Sequence, residues 1–280
     1  ETFIGIKQYR KSNKISIKDL LIFRKKIYVS YTHEIREDCW NTSLIFGDLN
    51  YKNIIFKELF SSSECIHSTN NLDKEFEMLQ SGGRVIPFDE NNVLLSVGDY
   101  RSRYLSQDKN SINGKIIQIN TQNGSYKIIS MGHRNPQGLY FDKKNNFLLE
   151  TEHGPKGGDE ININHKPFLK KKNFGWPISS YGEHYKKNYS KKILSEAPLE
   201  KSHKKYGFEE PIKYFVPSIG ISQLISINNE DRDFFIGAMG NQIDDQDLGI
   251  HYIKLNKKRD KIIKHRYILL NERVRDMVIS

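Results

Sequence analysis

Phe88-Asp-Glu-Asn-Asn-Val-Leu-Leu-Ser-Val-Gly-Asp99 reads as the end of one strand, a polar turn at Asn91-Asn92, and a second apolar strand. Phe141-Asp-Lys-Lys-Asn-Asn-Phe-Leu-Leu-Glu-Thr-Glu152 repeats the pattern. Ile22-Phe-Arg-Lys-Lys-Ile-Tyr-Val-Ser-Tyr31 is a third copy, and Ile227 through Asp233 into Phe234-Phe-Ile-Gly-Ala238 is a fourth. Short β-rich runs bounded by Asn, Asp and Gly are hairpin chemistry. Further strands follow the copies at Thr42–Leu49, Gly114–Asn120 and Gly249–Asn256, then at Ile54–Phe60, Ser125–Ser130 and Ile262–Leu270. A unit of several strands recurring along a chain without long amphipathic helices predicts an all-β fold of radially repeated sheets, a β-propeller.

Both ends read as partial units. Glu1–Asn13 resembles the outgoing part of a preceding blade, and Val274–Ser280 reads as a strand that stops short of its partner. The expectation is one propeller domain over residues 1–280, partial at each end. Lys156–Leu199 is long and turn-rich, and predicts an excursion over one face combined with part of a blade.

The 280 residues are 37% hydrophobic and 28% charged, the balance of a globular protein rather than a disordered one. No apolar run is long enough to span a bilayer. The first residue is Glu1 and no signal-peptide pattern follows it, which fits removal of a leader or an internal fragment. The net charge is +10, but the lysine clusters (Lys170–Lys172, Lys186-Lys187, Lys204-Lys205) are scattered and lack interleaved stacking aromatics. They read as a solvated surface, not a nucleic-acid interface. Cys39 and Cys65 flank the runs Asn41–Leu49 and Ile54–Phe60. If those form a hairpin turning near Tyr51-Lys52, the cysteines face each other across its open end, which permits a disulfide and fits an oxidising compartment. Two unrelated buried thiols are the alternative.

Chemistry-bearing residues concentrate in Gly132-His-Arg-Asn-Pro-Gln-Gly-Leu139, Glu152-His-Gly-Pro-Lys-Gly-Gly-Asp-Glu160, Asn173-Phe-Gly-Trp-Pro177 and Ser180-Tyr-Gly182. Gly-Pro and Gly-Gly turns expose carbonyl oxygens to a hard cation, with Asp159 and Glu160 nearby. Arg134 offers a planar fork for an anion. With Ser81-Gly-Gly-Arg84 through Val97-Gly-Asp99, and Glu272-Arg-Val-Arg-Asp276, these blocks in this order resemble the glucose/sorbosone dehydrogenase family. Those are soluble aldose dehydrogenases that use pyrroloquinoline quinone, and the resemblance covers roughly residues 17–280.

The resemblance implies a six-bladed propeller, a sugar substrate, pyrroloquinoline quinone and calcium as cofactors, and a periplasmic or secreted location; the oligomeric state stays open. Arg134 and Asn135 match the family's cofactor pair, and Arg273 and Arg275 match a second pair. Residues i and i+2 of a strand share a face, so both guanidinium groups could meet one anion. A loop salt bridge and an exposed strand face would use the same residues. Gly154 and Pro155 match carbonyls that hold the cofactor calcium, and Glu160 and Phe174 match a further calcium site; a structural turn is the alternative there. The family's catalytic histidine sits four residues before the Arg of the Gly-Gly-Arg block, and that position here is Gln80. An amide has no useful proton affinity, so Gln80 cannot serve as general base. Asp99 matches the acid that orients that histidine, and here it is expected to have nothing to orient. A family glutamine falls near Ile17 and a family lysine near Gly240. His133 and His153 remain near the site, with His153 the nearer substitute base. Three functions follow: a quinone-dependent aldose dehydrogenase, a catalytically silent propeller that binds a sugar, anion or protein, and a lactonase-like calcium hydrolase using His153.

Overall fold

The structure, a computed structural model, describes residues 14–227, 232–240 and 243–279. They form four sheets in chain order, antiparallel apart from one short parallel pair. The first holds β1 (Ile17–Phe23), β2 (Lys26–Arg36), β3 (Cys39–Asp48), β4 (Lys57–Phe60) and the short β5 (Ile66–His67). The second holds β6 (Gly82–Pro87), β7 (Asn92–Val97), β8 (Lys115–Asn120) and β9 (Tyr126–Met131). The third holds β10 (Pro136–Asp142), β11 (Phe147–Glu152) and β12 (Asp159–His165). β13 (Lys172–Asn173), within the excursion, joins β9 in parallel, and β14 (Lys213–Phe215), beyond its end, closes the third sheet. The fourth sheet is β15 (Ile221–Ser226), β16 (Asp233–Ala238), β17 (Gly249–Leu255) and β18 (Ile262–Leu269). The first strands β1, β6, β10 and β15 lie side by side, so the sheets are blades set around their inner strands. This is the propeller read from the repeats.

The central strands explain the stacking. In β7, Val93, Leu95 and Val97 pack toward the first sheet with Tyr28 and Leu44, while Leu94 packs toward the third with Leu139 and Leu148. A strand buried on both faces must be apolar at odd and even positions alike, which is what Val93-Leu-Leu95 supplies. Phe147, Leu149 and Ile161 repeat the arrangement against Ile221, Phe234 and Ile236 of the fourth sheet. The two Asn-Asn turns join β6 to β7 and β10 to β11, equivalent places in successive sheets. Asn146 takes φ 52°, the left-handed region that Asn tolerates. The turn of the fourth copy lies outside the described residues, as does Glu1–Asn13.

Three expectations need correction. The strand predicted over Ile54–Phe60 is only Lys57–Phe60. The second returning strand, β5, was not foreseen, and it pairs with the start of β3, His67 opposite Cys39. That return brings Cys65 to Cys39, with Cα atoms 5.3 Å apart in a disulfide. Val274–Ser280 is not a strand over the described 274–279. It stays irregular because it meets the fourth sheet only at isolated points: Val274 N–H donates to Ala238, and Gln223 N–H donates to Arg275. The excursion carries β12, β13 and one short helix, α1 (Lys191–Glu196), capped by the Ser190 hydroxyl. Among the described residues no helix is long and apolar enough to cross a membrane.

Candidate active site

In an antiparallel blade, the start of the first strand and the end of the second lie at the same edge. The sequence places its polar blocks at those points. Gln80 precedes β6 and Asp99 follows β7; Arg134 and Asn135 precede β10; His153, Gly154 and Pro155 follow β11. Gln80, Arg134, Asn135, His153, Gly154, Arg273 and Arg275 line one cavity of about 570 Å³, with Ile17 and Lys18 at the start of β1. Gly240 is not among its lining residues, although its neighbour Met239 is.

The cavity is cationic. Lys18, Arg101, Arg134, Arg273 and Arg275 line it, against Glu77 and Asp159. Both Asp159 oxygens are already committed, one to Gly154 N–H and the other to Ile221 N–H, each at 3.0 Å. Burial, and then the nearby Arg275 charge, push the Lys18 ammonium down to about 8. Arg134 sits between two aromatic rings, its guanidinium carbon 5.4 Å from the Trp176 ring centroid and 5.8 Å from that of Tyr185. This charge and size suit an anionic ligand carrying carboxylate or phosphate groups.

Most of the oxygen groups expected to hold calcium are already engaged by other side chains, while the Pro155 carbonyl lies 3.5 Å from the Ser218 hydroxyl. Arg134 Nη1 donates to the Gly154 carbonyl at 2.6 Å and to the His153 carbonyl at 2.9 Å. Glu160 and Phe174 do come together, but around the His203 ring: Nδ1 is 2.7 Å from the Phe174 carbonyl and Nε2 is 3.2 Å from Glu160 Oε1. Burial alone would lower the pKa of His203, but the Glu160 carboxylate and the Phe174 carbonyl outweigh it and raise it. Calcium takes six or more oxygen ligands. With a guanidinium and an imidazole on these oxygens, the residues as arranged do not fit it.

Gln80 sits between Asp99 and the arginines. With its amide oriented to satisfy its neighbours, it donates to Asp99 Oδ1 at 3.2 Å and accepts from Arg134 Nη2 at 2.8 Å and Arg101 Nε at 3.1 Å. Asp99 is fully buried, and burial raises its pKa against the pull of Arg134. It does have groups to hold, contrary to expectation: Arg101 N–H at 2.9 Å and the Trp176 indole N–H at 2.7 Å. His153 reaches the cavity with its ring about a quarter exposed and its Nδ1 3.9 Å from Asp159 Oδ1. Partial burial, then the Arg134 and Arg275 charges, push its pKa below the ordinary value against the pull of Asp159. His133 is fully buried and lines no part of the cavity.

Sequence reasoning missed Lys18, Arg101, Tyr185 and His203. Arg101 stands two residues after Asp99 and could have been flagged; nothing local ties His203 to Glu160.

The sequence profile described as Glucose / Sorbosone dehydrogenase matches residues 22–280. Aldose sugar dehydrogenase YliI of Escherichia coli is 27% identical over 276 residues, covering 90% of this chain and 67% of its own. An uncharacterized Synechocystis protein, slr1608, is 28% identical over 221 residues, and the match spans 50% of its length. The structure of the soluble aldose sugar dehydrogenase from Escherichia coli in the apo-form aligns with TM-score 0.73 at 24% identity, over 94% of this chain and 76% of that one. The PQQ-bound form of aldose sugar dehydrogenase from Streptomyces coelicolor aligns with TM-score 0.62 at 19% identity, over 90% and 65%. At these identities the structural likeness concerns the fold.

Proposed function

Since the chain belongs to the glucose/sorbosone dehydrogenase family, we propose that its cationic cavity binds pyrroloquinoline quinone and that an aldose is oxidised there. The observation that carries this reading is the convergence of Arg134, Arg273 and Arg275 with Lys18 on one cavity. When bound, the quinone supplies the acceptor for a hydride from the sugar. Arg134, Arg273 and Arg275 would hold its carboxylates, and Trp176 and Tyr185 pack beside the Arg134 guanidinium. The sugar hydroxyl must also lose a proton. Gln80 cannot take it, so oxidation is slow. His153, open to the cavity, is the one imidazole that lines it among the described residues.

Calcium enters only by displacing Arg134 from Gly154 or His203 from Glu160, so no step depends on it. The disulfide supports an oxidising compartment, periplasmic or secreted.

The test is quinone titration followed by reduction of a redox dye with an aldose. Wild type should bind quinone and turn over slowly; Arg134→Ala should lose binding. Gln80→His should gain about 10² to 10⁴ in rate, the usual worth of a general base. His153→Ala should abolish the residual rate. If neither wild type nor Gln80→His binds quinone, the catalytically silent propeller is the better reading. If His153→Ala leaves the wild-type rate unchanged, His153 is not the base.

A further inference from the structure

We infer that His133, Glu150 and Glu152 form a buried site for a divalent transition-type cation, zinc or manganese in class, between the second and third sheets. Glu150 and Glu152 are alternate residues of β11 and share its face toward the second sheet. His133 lies in the connection from β9 to β10, against that face. The three are 0%, 2% and 3% exposed, in the order His133, Glu150, Glu152.

The geometry favours a shared ion over hydrogen bonds. One ligand atom from each residue lies within 4.8 Å of the others. His133 Nδ1 is 3.4 Å from Glu152 Oε2 and 3.7 Å from Glu150 Oε1. Those separations are long for hydrogen bonds. They are near the roughly 3.4 Å between two ligands each held at about 2.1 Å in a tetrahedral site.

The free lone pairs point the same way. His133 Nδ1, both Glu150 oxygens and Asn162 Oδ1, from the residue opposite Glu150 on β12, are buried and make no hydrogen bond. The His133 ring is oriented from behind: Nε2 lies 2.8 Å from the Ser130 hydroxyl, and the ring stacks on Phe174 at 4.9 Å. Fixing one ring nitrogen so that the other meets a metal is the usual outer-shell arrangement.

Charge supports the site. Two carboxylates out of water are unfavourable without a counter-charge. Glu150 and Glu152 stand two residues apart on one face, both almost completely removed from water. A dication removes that repulsion, and the competing solution is one proton shared by Glu150 and Glu152. An imidazole ligand argues against calcium and magnesium, which take oxygen, and for zinc or manganese. The ion would have a structural role that reaches the cavity, because Glu152 Oε2 also accepts the Arg134 backbone N–H at 3.0 Å.

This site holds or fails whatever the cavity binds. The full chain is refolded with zinc, manganese, cobalt or calcium, desalted, and its metal counted by mass spectrometry. About one tightly held zinc or manganese per chain is expected. Cobalt should give a visible band whose position reports a mixed nitrogen and oxygen set. Glu150→Gln should weaken retention at least about tenfold, and refolding with chelator should lower the melting temperature of wild type but not of this variant. Retention of no transition ion would overturn the site in favour of the shared proton. Retention of calcium alone would overturn it too, as would a metal content unchanged in Glu150→Gln. If Glu150→Gln does not fold, the wild-type stoichiometry and cobalt spectrum decide.

Discussion

The Trp176 indole N–H donates to the buried Asp99 carboxylate at 2.7 Å, across 77 residues of chain. The bond ties the excursion over the face to the loop after β7. It also sets the ring against which Arg134 lies, so one side chain serves both the buried acid and the cavity wall.

Trp176→Phe keeps most of the ring and removes the donor. Asp99 then keeps the Arg101 N–H and Gln80 bonds but loses its indole partner. The expected loss in stability is about 1–3 kcal/mol, the cost of stranding a buried acceptor. Denaturant unfolding measures it, and an unchanged midpoint would mean that Asp99 does not depend on the indole.

Gly98→Ala should be far worse than its size suggests. A Cβ there would lie 2.0 Å from the Gln80 carbonyl, and backbone cannot yield as a flexible side chain does. Overpacking of this kind costs about 1–3 kcal/mol and should displace Gln80 from Asp99. Gly207→Ala, where a Cβ meets nothing within 4 Å, carries only the strain of φ 83°, about 1–2 kcal/mol, and should leave the cavity intact. Thermal melts with quinone titration separate the two.

Replacing Cys39 and Cys65 together by Ser frees a loop of sequence separation 26. The expected destabilisation is about 3 kcal/mol from the released chain entropy. Unfolding with and without reductant should show the same loss in wild type, and no effect of reductant in the double variant.

Acid stability should depend on Glu75. Burial acts to raise its pKa, but bonds from Lys186 at 2.6 Å and Arg103 at 2.5 Å outweigh burial and hold it at about 2, below the ordinary 4.5. A depressed carboxylate contributes its full stability above about pH 4.5 and loses it as the pH falls toward 2. Glu75→Gln should therefore flatten the stability profile between those values and lower the plateau above them. A profile of unchanged slope would place the acid sensitivity elsewhere.

The sequence by itself determined what depends on neighbours in the chain. Val93-Leu-Leu95 and Phe147-Leu-Leu149 read as apolar strands, and the Asn-Asn turns before them marked the hairpins. The family blocks named Arg134, Asn135, Arg273 and Arg275, but the last two lie in an irregular run after β18, so strand alternation is not what brings them to the cavity. Tertiary structure decided what those residues meet. That Gln80 bridges Asp99 and Arg134, that Trp176 reaches Asp99, and that His203 stands between Glu160 and Phe174 each join segments with no shared periodicity. The return of β5 to β3 and the irregular run at Val274 were likewise set by available partners, not by propensity. Burial changed the chemistry as well: Glu150 reads in sequence as one acid in a strand, and only the packing of β11 against His133 makes it a carboxyl that water cannot reach. Backbone pattern is a local property of side-chain spacing, whereas a site forms where distant loops close on one edge of the blades, and that closure depends on the packing of every sheet between them.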